Sequence, residues 1–334
     1  MEDKLDVIEN EPTVIEPESN GAETEIPALS RDIIMRKRYK RLFIAFLMTT
    51  ILFGSALFYV VYTNYSYIAF KFLVADHYAF PETLETLFRE TVGIENPRNF
   101  RRNFDEVVIH VFIERLREID GDVHTFLYTP QRFEAMEERT AAVARETRQE
   151  EIAPDTNFLR IPNFYHITQQ YIRDNRHAIN EFDSIIIDLR NNGGGALRDF
   201  HGIAGLFLER NAIIGFENTR TPFFSNTITS RGDKFFEFDQ IIILQNGRTA
   251  SAAEGFIMAL KENLDNVTTV GTQTFGKGIG QIAFPLRRGF VANVTVLTMG
   301  TPSGGSIHKT GITPDIFYDG DDIISFALGL INEG

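Results

Sequence analysis

Residues 184–195, SIIIDLRNNGGG, carry the pattern from which the fold of this 334-residue chain can be worked out. The β-branched run at the start of the segment predicts a short buried strand, and its three glycines predict a turn that leads into a helix. Two more β-branched runs follow, QIIILQ at residues 240–245 and FVANVTVLTM at residues 290–299. Helical patterns accompany these runs, at residues 165–180, 196–210 and 251–264. The alternation of strands and helices predicts an α/β domain with a largely buried sheet.

The composition excludes several classes of partner and cofactor. The net charge is -13, which argues against nucleic acid as a partner because phosphate contacts need clustered lysine and arginine. The chain has no cysteine, so disulfides, thiol chemistry and cysteine-based metal sites are excluded. None of its seven histidines has the H-E-x-x-H spacing of a zinc peptidase. We therefore expect no nucleic-acid partner, no metal and no other cofactor.

A long apolar segment near the N-terminus predicts a membrane span. The basic run RKRYKR occupies residues 36–41, and no charged residue occurs from residue 42 to residue 70. About 20 apolar residues cross the hydrocarbon core of a bilayer, and basic flanking residues favour the cytoplasmic side. A cleaved signal peptide would have a shorter apolar run that begins near residue 1. We predict a single-pass protein of the cell membrane with a cytoplasmic N-terminus, and the lack of cysteine suits an exported bacterial domain.

The chain divides into four predicted segments. Residues 1–41 are predicted to be a disordered, acidic cytoplasmic tail that ends in the basic juxtamembrane run, since its first part shows no sustained hydrophobic period. The transmembrane helix is predicted at residues 42–63. Residues 76–155 carry apolar residues at helical spacing and charged, alanine-rich stretches, which predict a helical N-terminal subdomain. Residues 156–334 are predicted to form the α/β core.

Three glycine-marked junctions follow strand-like runs, and the first lies at residues 188–195, DLRNNGGG. Consecutive glycines let backbone N–H groups approach a ligand without a Cβ in the way. Such N–H groups can bind an anion or stabilise an oxyanion. The alternative interpretation is a tight turn with a helix cap, and the spacing does not choose between the two.

The second junction, NGRTASAAE at residues 246–254, places Ser251 near the start of a helix. Free N–H groups and the helix dipole favour developing negative charge there. The alternative is that Thr249 or Ser251 only caps the helix, with Glu254 completing a capping box. Both can hold at once, because a nucleophile at a helix start also has cap geometry.

The third junction, GTQTFGKG at residues 271–278, superficially satisfies the G-x-x-x-x-G-K pattern of a phosphate-binding loop. That loop needs Ser or Thr after the lysine and then a helix, whereas Gly278 and a strand-like run follow here. We therefore expect no nucleotide site. Lys277 lies among apolar and glycine residues, where desolvation can lower the pKa of its amine until it acts as a base. The alternative is a surface lysine on a turn.

Together and in this order, the junctions resemble peptidase family S41, the C-terminal processing peptidases or tail-specific proteases. The family patterns D-L-R-x-N-x-G-G, S-A-S-E and F-G-K-G-x-x-Q resemble residues 188–195, 251–254 and 275–281. Two outer patterns, D-x-H-T and G-x-x-P-D, resemble residues 122–125 and 311–315. The match covers about residues 105–320. It implies an α/β, S41 peptidase-like (ClpP/crotonase-like) core, here with an N-terminal helical subdomain and one transmembrane helix before it.

The resemblance also implies roles for individual residues. Ser251 resembles the nucleophile, Lys277 the general base and Gln281 a third residue that orients the lysine. Gly194 and Ala252 resemble the N–H donors of an oxyanion hole, although the sequence does not decide between Gly193 and Gly194. Ser–Lys pairs are a variant of the serine-protease triad.

Two departures from the family pattern affect the expected function. Ala253 stands where the family has the second serine of S-A-S-E, and the PDZ module is expected to be missing, since only about thirty residues separate Thr125 from the strand-like residues 157–161. The implied function is a membrane-anchored serine endopeptidase that cleaves extracytoplasmic proteins through an acyl-enzyme. The alternative is a catalytically silent, peptide-binding relative that acts as a membrane sensor or scaffold.

Overall fold

The structure is a computed structural model that describes residues 28–77, 81–92 and 100–333 of the chain. The chain divides into two compact units, with the boundary after Tyr78. In the first unit the described residues form one helix, α1 (Ala28–His77). Within α1, residues 33–72 are long and apolar enough to cross a membrane. This stretch includes the predicted span.

Helix α1 begins earlier than the sequence analysis predicted. Residues 28–41, which were assigned to a disordered tail, are helical. The physical reason is that no proline occurs between Pro27 and Pro81, so nothing removes a backbone N–H from the helical ladder. Residues 1–27 of the predicted tail lie outside the described residues.

The second unit contains helices and strands in alternation. Its helices are α2 (Pro81–Val92), α3 (Phe100–Asp120), α4 (Pro130–Ala144), α5 (His166–Asp174), α6 (Arg176–Ile179), α7 (Leu197–Ala204), α8 (Ala252–Lys261) and α9 (Ile323–Glu333). Its strands are β1 (Phe126–Tyr128), β2 (Arg148–Ala153), β3 (Thr156–Arg160), β4 (Ser184–Asp188), β5 (Ile213–Thr219), β6 (Asn226–Thr229), β7 (Gln240–Gln245), β8 (Val267–Gly271), β9 (Ile279–Pro285), β10 (Val291–Gly300) and β11 (Ile316–Phe317).

A six-stranded sheet forms the centre of this unit, in the order β11-β8-β7-β4-β3-β2. All its neighbouring strands are parallel except β2 and β3. Side chains alternate between the two faces of a strand. Ile185 and Ile187 therefore pack with α7 and α8 on one face, and Ile186 packs with α9 on the other. Burial on both faces explains why β4 is a continuous apolar run.

A second sheet, which the sequence analysis missed, lies beside the first. Its order is β1-β10-β5-β6, with β9 also paired to β10, and its pairs are antiparallel. The run at residues 290–299 was correctly predicted as a strand, but it belongs to this sheet. Periodicity identifies a strand and does not identify its partner, so one sheet could not be told from two.

The helical prediction for residues 76–155 is wrong in two places, because β1 and β2 fall within this segment. Strand β2, with the sequence RQEEIA, forms an edge of the central sheet and pairs with β3. Charged residues are common on edge strands, where they discourage further pairing. They also remove the apolar alternation that would have predicted a strand.

Replacing Phe256 of α8 with alanine tests the main core. The Phe256 ring is fully buried, and its centroid lies 5.4 Å from that of Phe164 and 5.9 Å from that of Phe207. We expect the free energy of unfolding to fall by about 3–5 kcal/mol, since the change removes buried apolar surface and leaves a cavity. Urea titration of the full chain in mild detergent, followed by near-ultraviolet circular dichroism, measures this loss.

The matched control is Phe223→Ala, because the Phe223 side chain is 87% exposed. This variant should change the free energy of unfolding by less than about 0.5 kcal/mol. Equal losses for the two variants would contradict the assignment of the core.

Candidate active site

Three turns meet at one edge of the central sheet, at residues 189–196, 246–251 and 272–278. They follow β4, β7 and β8, which are neighbouring parallel strands. The carboxyl ends of parallel strands lie at the same edge of a sheet, where loops can form a binding crevice. The fold therefore brings together the three glycine-marked junctions of the sequence.

Ser251 occupies a strained position directly before α8. Its backbone has φ 56° and ψ -120°, which is uncommon for a residue other than glycine, and only 7% of its surface is exposed. Ala250 and Ala252 are also buried. The Ala252 N–H is the first of the helix and has no acceptor among the described residues, as is usual for helix N-termini.

Gly194 lies against the Ser251 turn, where no larger residue fits. Its φ is +102°, and a Cβ added to it would lie 2.9 Å from both the Ser251 Cβ and the Ala250 carbonyl oxygen. The two turns are joined by the Ala250 N–H, which donates to the Asn192 carbonyl over 2.9 Å. The Gly194 N–H, a predicted oxyanion donor, donates to the Asn192 Oδ1 over 2.8 Å in this structure.

Glu254 joins the Ser251 turn to the Lys277 loop. Its carboxylate is fully buried and accepts four hydrogen bonds. The Ser251 N–H (2.8 Å) and the Lys277 N–H (2.9 Å) donate to Oε2, and the Thr274 hydroxyl (2.5 Å) and the Gly276 N–H (2.7 Å) donate to Oε1. The predicted capping box of Ser251 and Glu254 is present. The sequence suggested the cap but not the link between the two loops, because the donors of the second loop lie about 20 residues further along.

Lys277 is partly buried, and burial lowers the pKa of its amine from the ordinary lysine value, while the nearby Asp122 and Glu254 carboxylates oppose this shift. A lower pKa makes the neutral amine, which can accept a proton, more available. No hydrogen bond joins the Lys277 amine to Ser251 or Gln281 in this structure. The Gln281 Nε2, on β9, is buried and lacks a hydrogen-bond partner in the described part of the chain.

The D-x-H-T segment lies close to Lys277, which the sequence pattern did not predict. Asp122 accepts hydrogen bonds from the His124 N–H (2.9 Å) and the Thr125 hydroxyl (2.6 Å). The Thr125 hydroxyl accepts from the Thr295 N–H of β10 over 3.0 Å, which fixes the segment on the second sheet. Burial lowers the pKa of His124, and the positive charge of Lys277 lowers it further.

Comparison with known proteins agrees with this geometry. A sequence model of peptidase family S41 matches residues 155–318, which include all three turns of the site. The chain carries a peptidase family S41 domain. The resemblance inferred from the sequence motifs is thereby confirmed, and S41 serine peptidases are hydrolases. The absence of a PDZ module stays a prediction.

The S41 domain has relatives in bacteria that are named as proteases. A carboxyl-terminal-processing protease of Synechocystis sp. is 34% identical over 172 residues, which are 51% of this chain and 39% of that protein. A carboxy-terminal-processing protease of Bartonella bacilliformis is 33% identical over 174 residues, which are 49% of this chain and 39% of that protein. The chain thus spans less than half the length of these curated relatives.

A solved structure shares the fold of the S41 domain. It is a lipoprotein from Streptococcus agalactiae, with a TM-score of 0.57 and 20% sequence identity, and the likeness covers 69% of this chain and 82% of that one. At this identity the likeness concerns the fold alone. The predicted α/β class with an S41-like core is confirmed.

Replacing Glu254 with glutamine tests the link between the two loops. The amide would turn an N–H group toward backbone N–H donors, so at least one buried donor would lose its acceptor. We expect the free energy of unfolding to fall by roughly 2–3 kcal/mol, the value of hydrogen bonds to a buried charged group. Urea titration measures the loss.

Glu262→Gln is the matched control, since the exposed Glu262 accepts two hydrogen bonds from Ser303. It should alter the free energy of unfolding by less than about 1 kcal/mol. If Glu254→Gln unfolds at the wild-type urea concentration, the buried carboxylate does not hold the loops together.

Proposed function

We propose that this chain is a membrane-anchored serine endopeptidase of the C-terminal processing type, with Ser251 as nucleophile and Lys277 as general base. The observation that carries the proposal is the shared anchor of the two loops. The Glu254 carboxylate holds the backbone N–H groups of both Ser251 and Lys277, at 2.8 and 2.9 Å. The proposed substrates are extracytoplasmic proteins, and no cofactor is needed for the chemistry.

The proposed reaction proceeds through an acyl-enzyme. The neutral Lys277 amine takes the proton of the Ser251 hydroxyl while Oγ attacks the carbonyl carbon of the scissile peptide bond. The tetrahedral intermediate collapses, the C–N bond breaks, and Lys277 returns the proton to the leaving amine. A water molecule then attacks the ester, with Lys277 again accepting and returning a proton, and Ser251 is regenerated.

The proposed oxyanion hole uses N–H groups on both sides of Ser251. The Ala252 N–H has no acceptor among the described residues, so it is available to an oxyanion at the start of α8. The Gly194 N–H is bonded to the Asn192 Oδ1 and would have to turn from this acceptor to the substrate. Its place beside the Ser251 Cβ supports the role, since donors act within about 3 Å of the developing charge.

Gln281 is the proposed positioning residue for Lys277. It lies four residues after Lys277, on β9. Its side-chain Nε2 is buried and has no hydrogen-bond partner in the described part of the chain. A buried amide without partners is costly, which suggests a group that gains a partner when substrate binds. Rotation of the amide would let its oxygen accept a hydrogen bond from the Lys277 ammonium group.

The proposed location follows from α1. A single apolar helix of this length suits a membrane anchor, and the basic run at residues 36–41 favours a cytoplasmic N-terminus. We keep the four-part organisation as part of the proposal: a cytoplasmic tail to residue 41, a span at residues 42–63, an N-terminal subdomain at residues 76–155 and a peptidase core at residues 156–334. The S41 domain would then act outside the cytoplasm.

Casein cleavage by the full chain in mild detergent tests the mechanism. Ser251→Ala and Lys277→Ala should each lower the cleavage rate by on the order of 10³-fold or more, because a nucleophile–base pair acts as a unit. Lys234→Ala is the control for Lys277, since Lys234 forms ion pairs with Glu209 and Glu237 away from the site. It should cleave at the wild-type rate.

Cleavage that survives Ser251→Ala would overturn the choice of nucleophile. An inert wild type that still binds casein would favour the alternative of a silent peptide-binding relative.

The pH dependence of cleavage tests the role of Lys277. Only the neutral amine can accept the Ser251 proton, so kcat/KM should rise with pH and level off above the pKa of Lys277. Burial lowers the pKa of Lys277, so the midpoint should lie below the ordinary lysine value. Rates measured on a fluorogenic peptide from pH 6 to pH 10 give the midpoint.

Lys277→Arg should be inactive over the whole range, because a guanidinium group stays protonated. A profile that falls as pH rises would contradict a lysine base.

A further inference from the structure

A cavity of about 580 Å³ lies between α5, α7 and β6. We call it the arginine cavity, because three arginines from three separate elements line it: Arg173 of α5, Arg198 of α7 and Arg231, which follows β6. Neither the motifs in the sequence nor the proposed mechanism gives these arginines a role. Their convergence on one cavity indicates a site for an anion.

The charges in the arginine cavity do not cancel. Arg173 is paired with Asp233 over 3.0 Å, and Glu217 is the other carboxylate in the lining. Arg198 and Arg231 have no ion pair or hydrogen bond with any residue that the structure describes. Three guanidinium groups against two carboxylates leave one excess positive charge.

His201 lines both the arginine cavity and a smaller apolar cavity next to it. Burial and the neighbouring Arg231 lower the pKa of His201 to about 4, so its ring is neutral near pH 7. The imidazole therefore adds no positive charge to the cavity under physiological conditions. The two arginines without partners carry the attraction for an anion.

The turn that carries Arg231 is fixed by its neighbours. Ser230 is buried, its N–H donates to the Ala212 carbonyl over 2.8 Å, and its hydroxyl donates to the Leu208 carbonyl over 3.1 Å. Gly232, with φ +86°, then turns the chain back. A fixed backbone reduces the entropy lost when the Arg231 side chain binds a ligand.

The apolar cavity connects the arginine cavity to the proposed nucleophile. It is lined by residues that include Gly255 of α8, and it shares His201, Glu217 and Ile228 with the arginine cavity. The Gly255 N–H donates to the Ser251 carbonyl over 2.9 Å, so the apolar cavity begins one helical turn from Ser251. The apolar cavity itself, at about 20 Å³, has room for little more than a water molecule. A peptide held at Ser251 can extend along the shared lining and bring a charged group to the arginine cavity.

We propose that the arginine cavity binds a carboxylate of the peptide substrate, a proposal that rests on the proposed peptidase function. Guanidinium groups bind carboxylates through pairs of parallel hydrogen bonds, and Arg198 and Arg231 supply such groups without first breaking an ion pair. A peptide can offer this carboxylate as its C-terminal group or as an Asp or Glu side chain. The cavity thus selects for a negative charge near the scissile bond.

Peptide binding to the full-length Ser251→Ala chain in mild detergent tests the proposal. The probes are three fluorescein-labelled peptides of one sequence with apolar C-terminal residues: the free acid, the C-terminal amide, and the amide with one glutamate near its end. We expect fluorescence anisotropy to show at least about 10-fold tighter binding of a carboxylate-bearing peptide than of the plain amide. Whichever of the free acid and the glutamate peptide binds tightly identifies the source of the carboxylate.

The Arg198→Gln/Arg231→Gln double substitution should remove this preference and leave binding of the plain amide unchanged. Arg139→Gln, at an exposed position of α4, removes a like charge elsewhere and should keep the preference. Thermal melting of each variant checks that the fold is intact. If all three peptides bind equally, or if the double variant keeps the preference, the carboxylate site is overturned.

Cleavage of the plain amide by the chain with Ser251 present separates this proposal from the peptidase function. Normal cleavage without any carboxylate preference would refute the arginine cavity alone. A carboxylate preference in binding, with no cleavage of any peptide, would support the cavity and refute the peptidase.

Discussion

The candidate site depends on the burial of one carboxylate. A buried charge is costly unless hydrogen bonds replace its water, and Glu254 meets this need with four donors. Its place in the first turn of α8 adds the favourable field of the helix N-terminus. Because two of the donors are the N–H groups of Ser251 and Lys277, neither loop can move without exposing an unpaired donor or the charge itself. Rigidity at this point holds Ser251 and Lys277, the proposed nucleophile and base, in one place although they follow separate strands.

The close approach of the loops also depends on glycines, because these residues have no side chain. Gly194 lies within van der Waals distance of the Ser251 turn, and a Cβ on Gly195 would lie only 2.0 Å from the Phe164 carbonyl oxygen. Both glycines have positive φ, where other residues are strained. The glycine run is thus a packing requirement of the fold, and it also supplies the Gly194 N–H of the proposed oxyanion hole. The two interpretations that the sequence left open are compatible.

Lys277, the proposed base, is surrounded by groups that belong to both sheets. The backbone of the Lys277 loop is held by Glu254 at the central sheet, whereas Asp122 and His124 approach its amine from the segment fixed on β10. The second sheet therefore has a place in the site as well as in the core. The proposed arginine cavity, lined in part by α7, would give the protein a way to choose substrates without altering the reacting groups.

The sequence by itself determined the buried strands, the glycine turns that end them and the apolar helix, because each follows from local hydrophobic periodicity or residue type. It also ranked Ser251, Lys277 and Gln281 as candidates through short motifs. Only the tertiary structure decided that β10 lies in a second sheet, that a charged run forms β2 and that Glu254 joins two loops. These features depend on pairing between residues that are far apart in the chain, and local patterns carry no information about partners. The same holds for the arginine cavity, since its three arginines come from three elements that meet only in the folded domain.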